Sequence, residues 1–203
     1  MVATIIAVEF DQFEFVEELT NTTELALIRA LNRTAERSRT RISREAREQV
    51  AFPASYLSPS NERLWVSSKA RGGSFETTIE GRGSATSLAR FTRQKPLAPG
   101  RRHKDGKVKV TVKPGAPTSI KRAFLIRLNN NNVGLAVRTN GEKPTNSFKP
   151  REFGNNLWLL YGPSVDQALS AATDGKGVFE DMTPDMLDFL EMEFNRQLEV
   201  LGV

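Results

Sequence analysis

Between residues 22 and 50 apolar side chains recur every three to four positions. At about 100° per residue, Leu25, Leu27, Ile28, Leu31, Ala35, Ile42, Ala46 and Val50 gather in one sector. Arg29, Arg33, Arg37, Arg41, Arg44 and Arg47 gather in the opposite sector, and Arg39 alone breaks the apolar side. The pattern predicts an amphipathic helix over 21–50, opened by a capping-box-like pair of Asn21 and Glu24. Upstream, residues 4–10 are β-branched and apolar and suit a buried strand. The acidic stretch from Asp11 to Leu19, with Phe10, Phe13 and Val16 at spacing three, reads as a helix start.

From 56 to 161 the period changes to two, as half-buried strands require. Leu64-Trp65-Val66 is one strand. Phe75, Thr77 and Ile79, alternating with Glu76, Thr78 and Glu80, form another, with Gly72-Gly73 as the turn between them. Gly81 to Ser84 ends it, and Leu88 and Phe91 precede a break at Pro96–Gly100. A basic loop, 92–107, leads into Val108, Val110 and Val112, which alternate with Lys109, Thr111 and Lys113 until Pro114–Pro117. Ala123–Leu128 and Val133–Arg138 predict a hairpin across Asn129–Asn132. Phe124, Ile126 and Leu128 would then share a face with Val133, Leu135 and Val137. Leu157–Tyr161 is a further strand.

Two helices close the pattern. Ser164 to Gln167 is a capping box for a helix over 164–173, ended by Asp174-Gly175. Thr183-Pro184 opens the second, 184–201, as cap and first helical residue. Its stripe is Leu187, Leu190, Phe194, Leu198 and Leu201; its polar face holds Asp185, Asp188, Glu191, Glu193 and Glu199. The expected fold is α+β, one domain over 1–203. A mostly antiparallel sheet of five to seven strands would pack against the long N-terminal helix, with two C-terminal helices.

Charge sharpens this picture. The net charge is +5, yet residues 1–20 carry five acids and no base, and residues 161–203 carry nine acids against two bases. The chain between them is strongly basic. Such polarity fits either a solvated surface or a molecule with two unlike partners. On the helix, Arg29/Arg33, Arg33/Arg37 and Arg37/Arg41 are like-charge pairs at i,i+4, each unfavourable by a few tenths of a kcal/mol, about 0.2–0.5. Either the row meets something negative or it is simply solvated. The loop cations Arg90, Arg93, Lys95, Arg101, Arg102, Lys104 and Lys107 could contact phosphates without reading bases.

Candidate chemistry is sparse. No Cys and a single His exclude thiolate catalysis, disulfides and Cys- or His-clustered metal sites. Gly162-Pro163-Ser164 matches half of a nucleophile elbow, but Asp166 stands where the second glycine belongs. Ser164 is read as a helix cap and His103 as a loop residue. There is no dinucleotide or Walker sequence, so no cofactor is expected and no enzyme. The apolar run Ile5–Val8 is too short to span a bilayer and no basic region precedes it, so neither membrane nor export signal is expected.

Two segments carry a resemblance. Ala123-Phe124-Leu125-Ile126-Arg127-Leu128 is followed by Val133-Gly134-Leu135-Ala136-Val137-Arg138-Thr139, and then by Leu160-Tyr161-Gly162-Pro163-Ser164-Val165. With the long Ala/Arg-rich helix before them, they resemble the minor tail protein Z family, tail completion proteins of long-tailed bacteriophages. Phe124, Gly134, Arg138, Tyr161, Gly162, Pro163 and Ser164 are the matching positions. The four-Asn turn departs from a Gly-rich one, and the acidic last helix has no anchor in the family pattern. The resemblance implies a non-enzymatic virion protein at the head-proximal end of the tail, made in the host cytoplasm. It also implies a homo-oligomeric ring, hexameric as in tails, joined to tail tube, terminator or head–tail connector proteins, with packaged double-stranded DNA passing through. The basic residues 29–47 and 90–107 would then face the lumen or a neighbour, and the acids of 185–199 a ring or subunit contact. The alternatives are another neck component, terminator or connector, and, from a different class, a non-specific DNA-binding accessory protein.

Overall fold

The computed structural model describes residues 5–7, 21–98, 101, 103, 106–144, 149–170 and 182–202. The expected helix start at 11–19, the Asp174-Gly175 stop, Arg102 and Lys104 lie outside them. A long helix, α1 (Asn21–Gln49), precedes most of the strands, and two helices follow them, α2 (Val165–Ser170) and α3 (Thr183–Leu201). Asn21, expected as the cap of α1, is already helical.

The strands are β1 (Ile5–Ala7), β2 (Leu64–Ser68), β3 (Thr78–Gly81), β4 (Thr86–Ser87), β5 (Lys107–Lys113), β6 (Ala116–Lys121), β7 (Ala123–Arg127), β8 (Val133–Arg138), β9 (Lys149–Gly154) and β10 (Leu157–Gly162). Among the described residues they form three sheets: β1-β3-β2, the ribbon β5-β6, and five strands around β10. β10 pairs with β8 through Leu157–Leu159 and with β4 through Tyr161–Gly162, while β9 pairs along its other edge. Every pairing is antiparallel. The fold is α+β, with a long N-terminal helix, antiparallel strands and C-terminal helices.

The hairpin β7–β8 forms in a different register from the expected one. Leu125 stands opposite Leu135 and Ala123 opposite Val137, and these four are buried, whereas Phe124 and Ile126 are half-buried. The turn explains the shift. Leu128 N donates to Asn132 O and Asn131 is left-handed at φ 61°, which makes a three-residue loop instead of the four assumed. One residue fewer in the loop exchanges the faces of one strand relative to the other.

Two strands have no hydrophobic alternation and escape a pattern search. β6 reads Ala-Pro-Thr-Ser-Ile-Lys, with Ile120 alone buried; its Pro117 falls where the register shifts, as a ladder without that N–H requires. β9 is exposed along nearly its whole length and joins β10 through Asn155 and Asn156, at φ 50° and 59°. Two central residues with positive φ define a type I′ turn, whose twist suits a hairpin.

Buried side chains from the C-terminal half of α1 (Ile42, Ala46) join Leu64, Leu88, Val108, Leu135, Leu160 and Leu169 in one core. A second cluster, Leu27, Ala30, Leu31, Ala70 and Leu190, sits under the N-terminal half of α1. Leu25, assigned by periodicity to the apolar sector, is 39% exposed. Arg39 is buried, and its Nε donates to Leu64 O at 3.0 Å, tying α1 to β2. Burial pulls its guanidinium below the ordinary arginine value, with Glu36 acting in the opposite sense.

Candidate functional site

Three of the six arginines in the α1 row, Arg33, Arg37 and Arg41, face α3. Arg41 pairs with Asp185, the Arg37 guanidinium lies 4.1 Å from the centre of the Phe189 ring, and Arg33 Nε lies 3.4 Å from Glu193 Oε2. Both triplets step by four residues and run in opposite directions, so two antiparallel helices zip one turn at a time. Glu193 is the centre of charge here. It is 2% exposed and accepts from Arg196 Nε at 3.0 Å and Gln197 Nε2 at 2.7 Å. The hydrogen bonds from Arg196 hold its carboxyl below the usual carboxylate range, burial opposes them, and Gln197 and Arg33 add to the lowering.

This corrects the expected solvated face of the last helix. Glu193, expected there, is buried, while Leu187, expected in the apolar stripe, is 46% exposed. Leu190, Glu193 and Gln197 face inward instead, and Glu193 is satisfied there by Arg196 and Gln197 of its own helix, with Arg33 of α1 alongside. Thr183, expected as cap, is the first helical residue and Met182 precedes it. The remaining acids, Asp188, Glu191 and Glu199, stay exposed. Arg29 and Arg44 are exposed as well, and Arg47 Nε donates to Phe52 O at 3.3 Å, fastening the chain as it leaves α1.

The loop cations lie elsewhere. Arg90 sits 5.6 Å from the Tyr56 ring and, with Arg93, Gln94, Lys109 and Thr111, lines an open groove of about 830 Å³. Arg101, Arg122 and Arg138 line a second one of about 490 Å³, together with Phe124 and Asn140. Lys95 and Lys107 are exposed. Among the described residues no carboxylate lines either groove. Lys109, Lys121 and Arg122 were not among the expected contacts. The signal was present: residues 106–141 contain no Asp or Glu.

The two segments that carry the family resemblance come together around β10. β8, with Gly134, lies against β10, and a Cβ on Gly134 would stand 3.0 Å from Leu159 Cδ2. Gly162 is similarly confined, with Leu88 Cδ2 at 3.0 Å and Phe91 Cε2 at 3.3 Å from where its Cβ would be. Tyr161 lies between β4 and β9, and Pro163 O accepts from Thr86 N at 3.4 Å. Phe124 and Arg138 share the second groove.

Ser164 forms a reciprocal capping box: Gln167 N donates to its Oγ at 3.0 Å, and its own N donates to Gln167 Oε1 at 3.2 Å. The side chain is 1% exposed and committed to the helix start. His103 Nε2 is buried without a hydrogen-bond partner. Among the described residues no group of three or more His, Asp or Glu could hold a metal ion, and no helix is long and apolar enough to cross a membrane. Comparison with protein-family models, curated proteins and solved structures returns no match.

Proposed function

We propose that this chain is a structural protein of a bacteriophage virion. It completes the head-proximal end of a long tail as part of a symmetric ring, and it joins the tail to a filled head without catalysing a reaction. The supporting observation is the arrangement around β10. The hairpin and the turn-to-helix that carry the family resemblance are partners in one sheet, and their glycines, Gly134 and Gly162, each leave no room for a side chain. The exposed acids of α3 and the basic grooves give the two unlike surfaces that a subunit between unlike neighbours requires.

Electron microscopy of particles made with this gene closed by a nonsense codon tests the reading. Filled heads and full-length tails lying apart, or joined particles that fail to deliver DNA, are expected. Overlong tails would move the protein to the terminator role. Normal infectious particles would overturn the virion reading. The basic grooves, lined by no carboxylate among the described residues, specifically favour a second reading, an accessory protein that binds DNA without regard to sequence, which would then be the one to pursue.

A further inference from the structure

Lys107 and Lys121 stand directly opposite each other in the β5–β6 ribbon, and both are exposed. Like charges at that position repel. The ribbon itself, Lys107 to Lys121, contains no carboxylate to relieve the repulsion. Two residues along, on the same face, Lys109 adds a third cation, while Val108, Val110 and Ile120 fill the opposite face and join the core.

At the foot of the ribbon the chain turns through Arg122, whose N donates to Gly106 O at 3.0 Å. Arg122 is left-handed at φ 59°, a conformation that favours Gly or Asn and that a long side chain seldom adopts. Arg122 and Gly106 both line the groove that also holds Arg101 and Arg138. Arg138 Nη1 is anchored on Asn155 O at 3.3 Å, which leaves its other donors for the groove. Among the described residues none of these six cations has an ion pair.

We propose that the outer face of the β5–β6 ribbon and the arginine groove at its foot form one binding surface for the phosphate backbone of nucleic acid, read without base specificity. Planar guanidinium groups converging on a groove suit phosphate oxygens, which they grip in pairs. Lysines in a row suit a uniform line of charge. On the ribbon a protein partner is disfavoured by composition: lysine is depleted at protein interfaces, and Ser119 opposite Lys109, with Thr111 beyond it, stands in place of an apolar anchor. The surface deepens the DNA contact named above and takes its biological setting from that reading.

The test uses the full chain and a fluorescent random-sequence DNA duplex of about 30 base pairs, with anisotropy read between about 50 and 200 mM salt. Wild type is expected to bind, with log affinity falling linearly in log salt, equally for a second duplex of unrelated sequence. Lys109→Gln, Lys121→Gln, Arg138→Gln and Arg122→Asn should each weaken binding and flatten the slope by about 0.9, one phosphate contact. Asn is chosen at 122 because it accepts the left-handed backbone, and Lys121→Arg should restore the slope. Unchanged thermal melting keeps a folding defect from mimicking the loss. No binding at the lowest salt, or full affinity and slope in the variants, would overturn the proposal. Displacement of the duplex by an equal charge of polyglutamate would overturn it in favour of an acidic protein. Failure here leaves the nonsense-codon phenotype untouched, so the two readings fail separately.

Discussion

Glu193 sits between Arg33 of α1 and Arg196 of its own helix, nearly closed to water. Its pKa is depressed in the folded state, so its contribution to stability is complete above the unfolded value near 4.5 and is lost as pH falls through the lower folded value. Glu193→Gln should cost about 1.5–3 kcal/mol at neutral pH, the range for a hydrogen bond to a charged group. In parallel denaturant titrations the gap between the two proteins should close as pH is lowered below 4.5; a gap independent of pH would show that the charge is not what matters. Gly162 makes a second prediction of this kind. An added methyl would press on Leu88 and Phe91, so Gly162→Ala should lower stability by about 1–3 kcal/mol in a thermal melt. The sequence marks Gly162 as notable, but what crowds it arrives from β4 and the turn after it, which no local pattern contains.

The elements divide by how local their cause is. The capping box at Ser164 is written in four consecutive residues and forms in full. Ser164→Ala should cost about 1 kcal/mol, and Ser164→Asp much less, measured by the same melt. α1 and α3 are legible because their periodicity is long, yet α3 settles with Glu193 inward and Leu187 exposed, where Arg196, Gln197 and Arg33 surround the carboxylate. The β7–β8 hairpin was legible as a hairpin but not in register. Its register depends on whether Asn131 adopts a left-handed backbone, and four successive Asn leave that choice open. Asn131→Gly should hold or raise stability, within about 1 kcal/mol, and Asn131→Val should lower it, because a β-branched residue resists positive φ. β6 and β9 were illegible because they are ribbon and edge strands held by their partners, with almost no apolar face of their own.

At the scale of the molecule, the charge polarity of the sequence resolves into two parts. One part is internal, the seam of Arg33, Arg37 and Arg41 against α3, where the acids expected to meet a neighbour meet the same chain. The other stays outward: Asp188, Glu191 and Glu199 on α3 and the cations of the two grooves. If the outward acids dock on a basic neighbour as the ring reading holds, self-association should weaken between about 50 and 500 mM salt, since screening shortens the reach of exposed charges. Sedimentation velocity measures this, and Glu191→Lys with Glu199→Lys should reduce association at low salt. Association unaffected by either would place the subunit contact on other residues. Composition could announce that polarity but could not divide it, because the division depends on two helices meeting across most of the chain.

That meeting also has an order in time. Arg41 and Asp185 are 144 residues apart, and a ribosome adding about 5–20 residues each second makes them roughly 7–30 s apart. Throughout that interval the nascent α1 exposes its arginines to one another with no counter-charge from α3. The first helix therefore spends its early life electrostatically unfinished and reaches its final balance only when the carboxylates of α3 emerge.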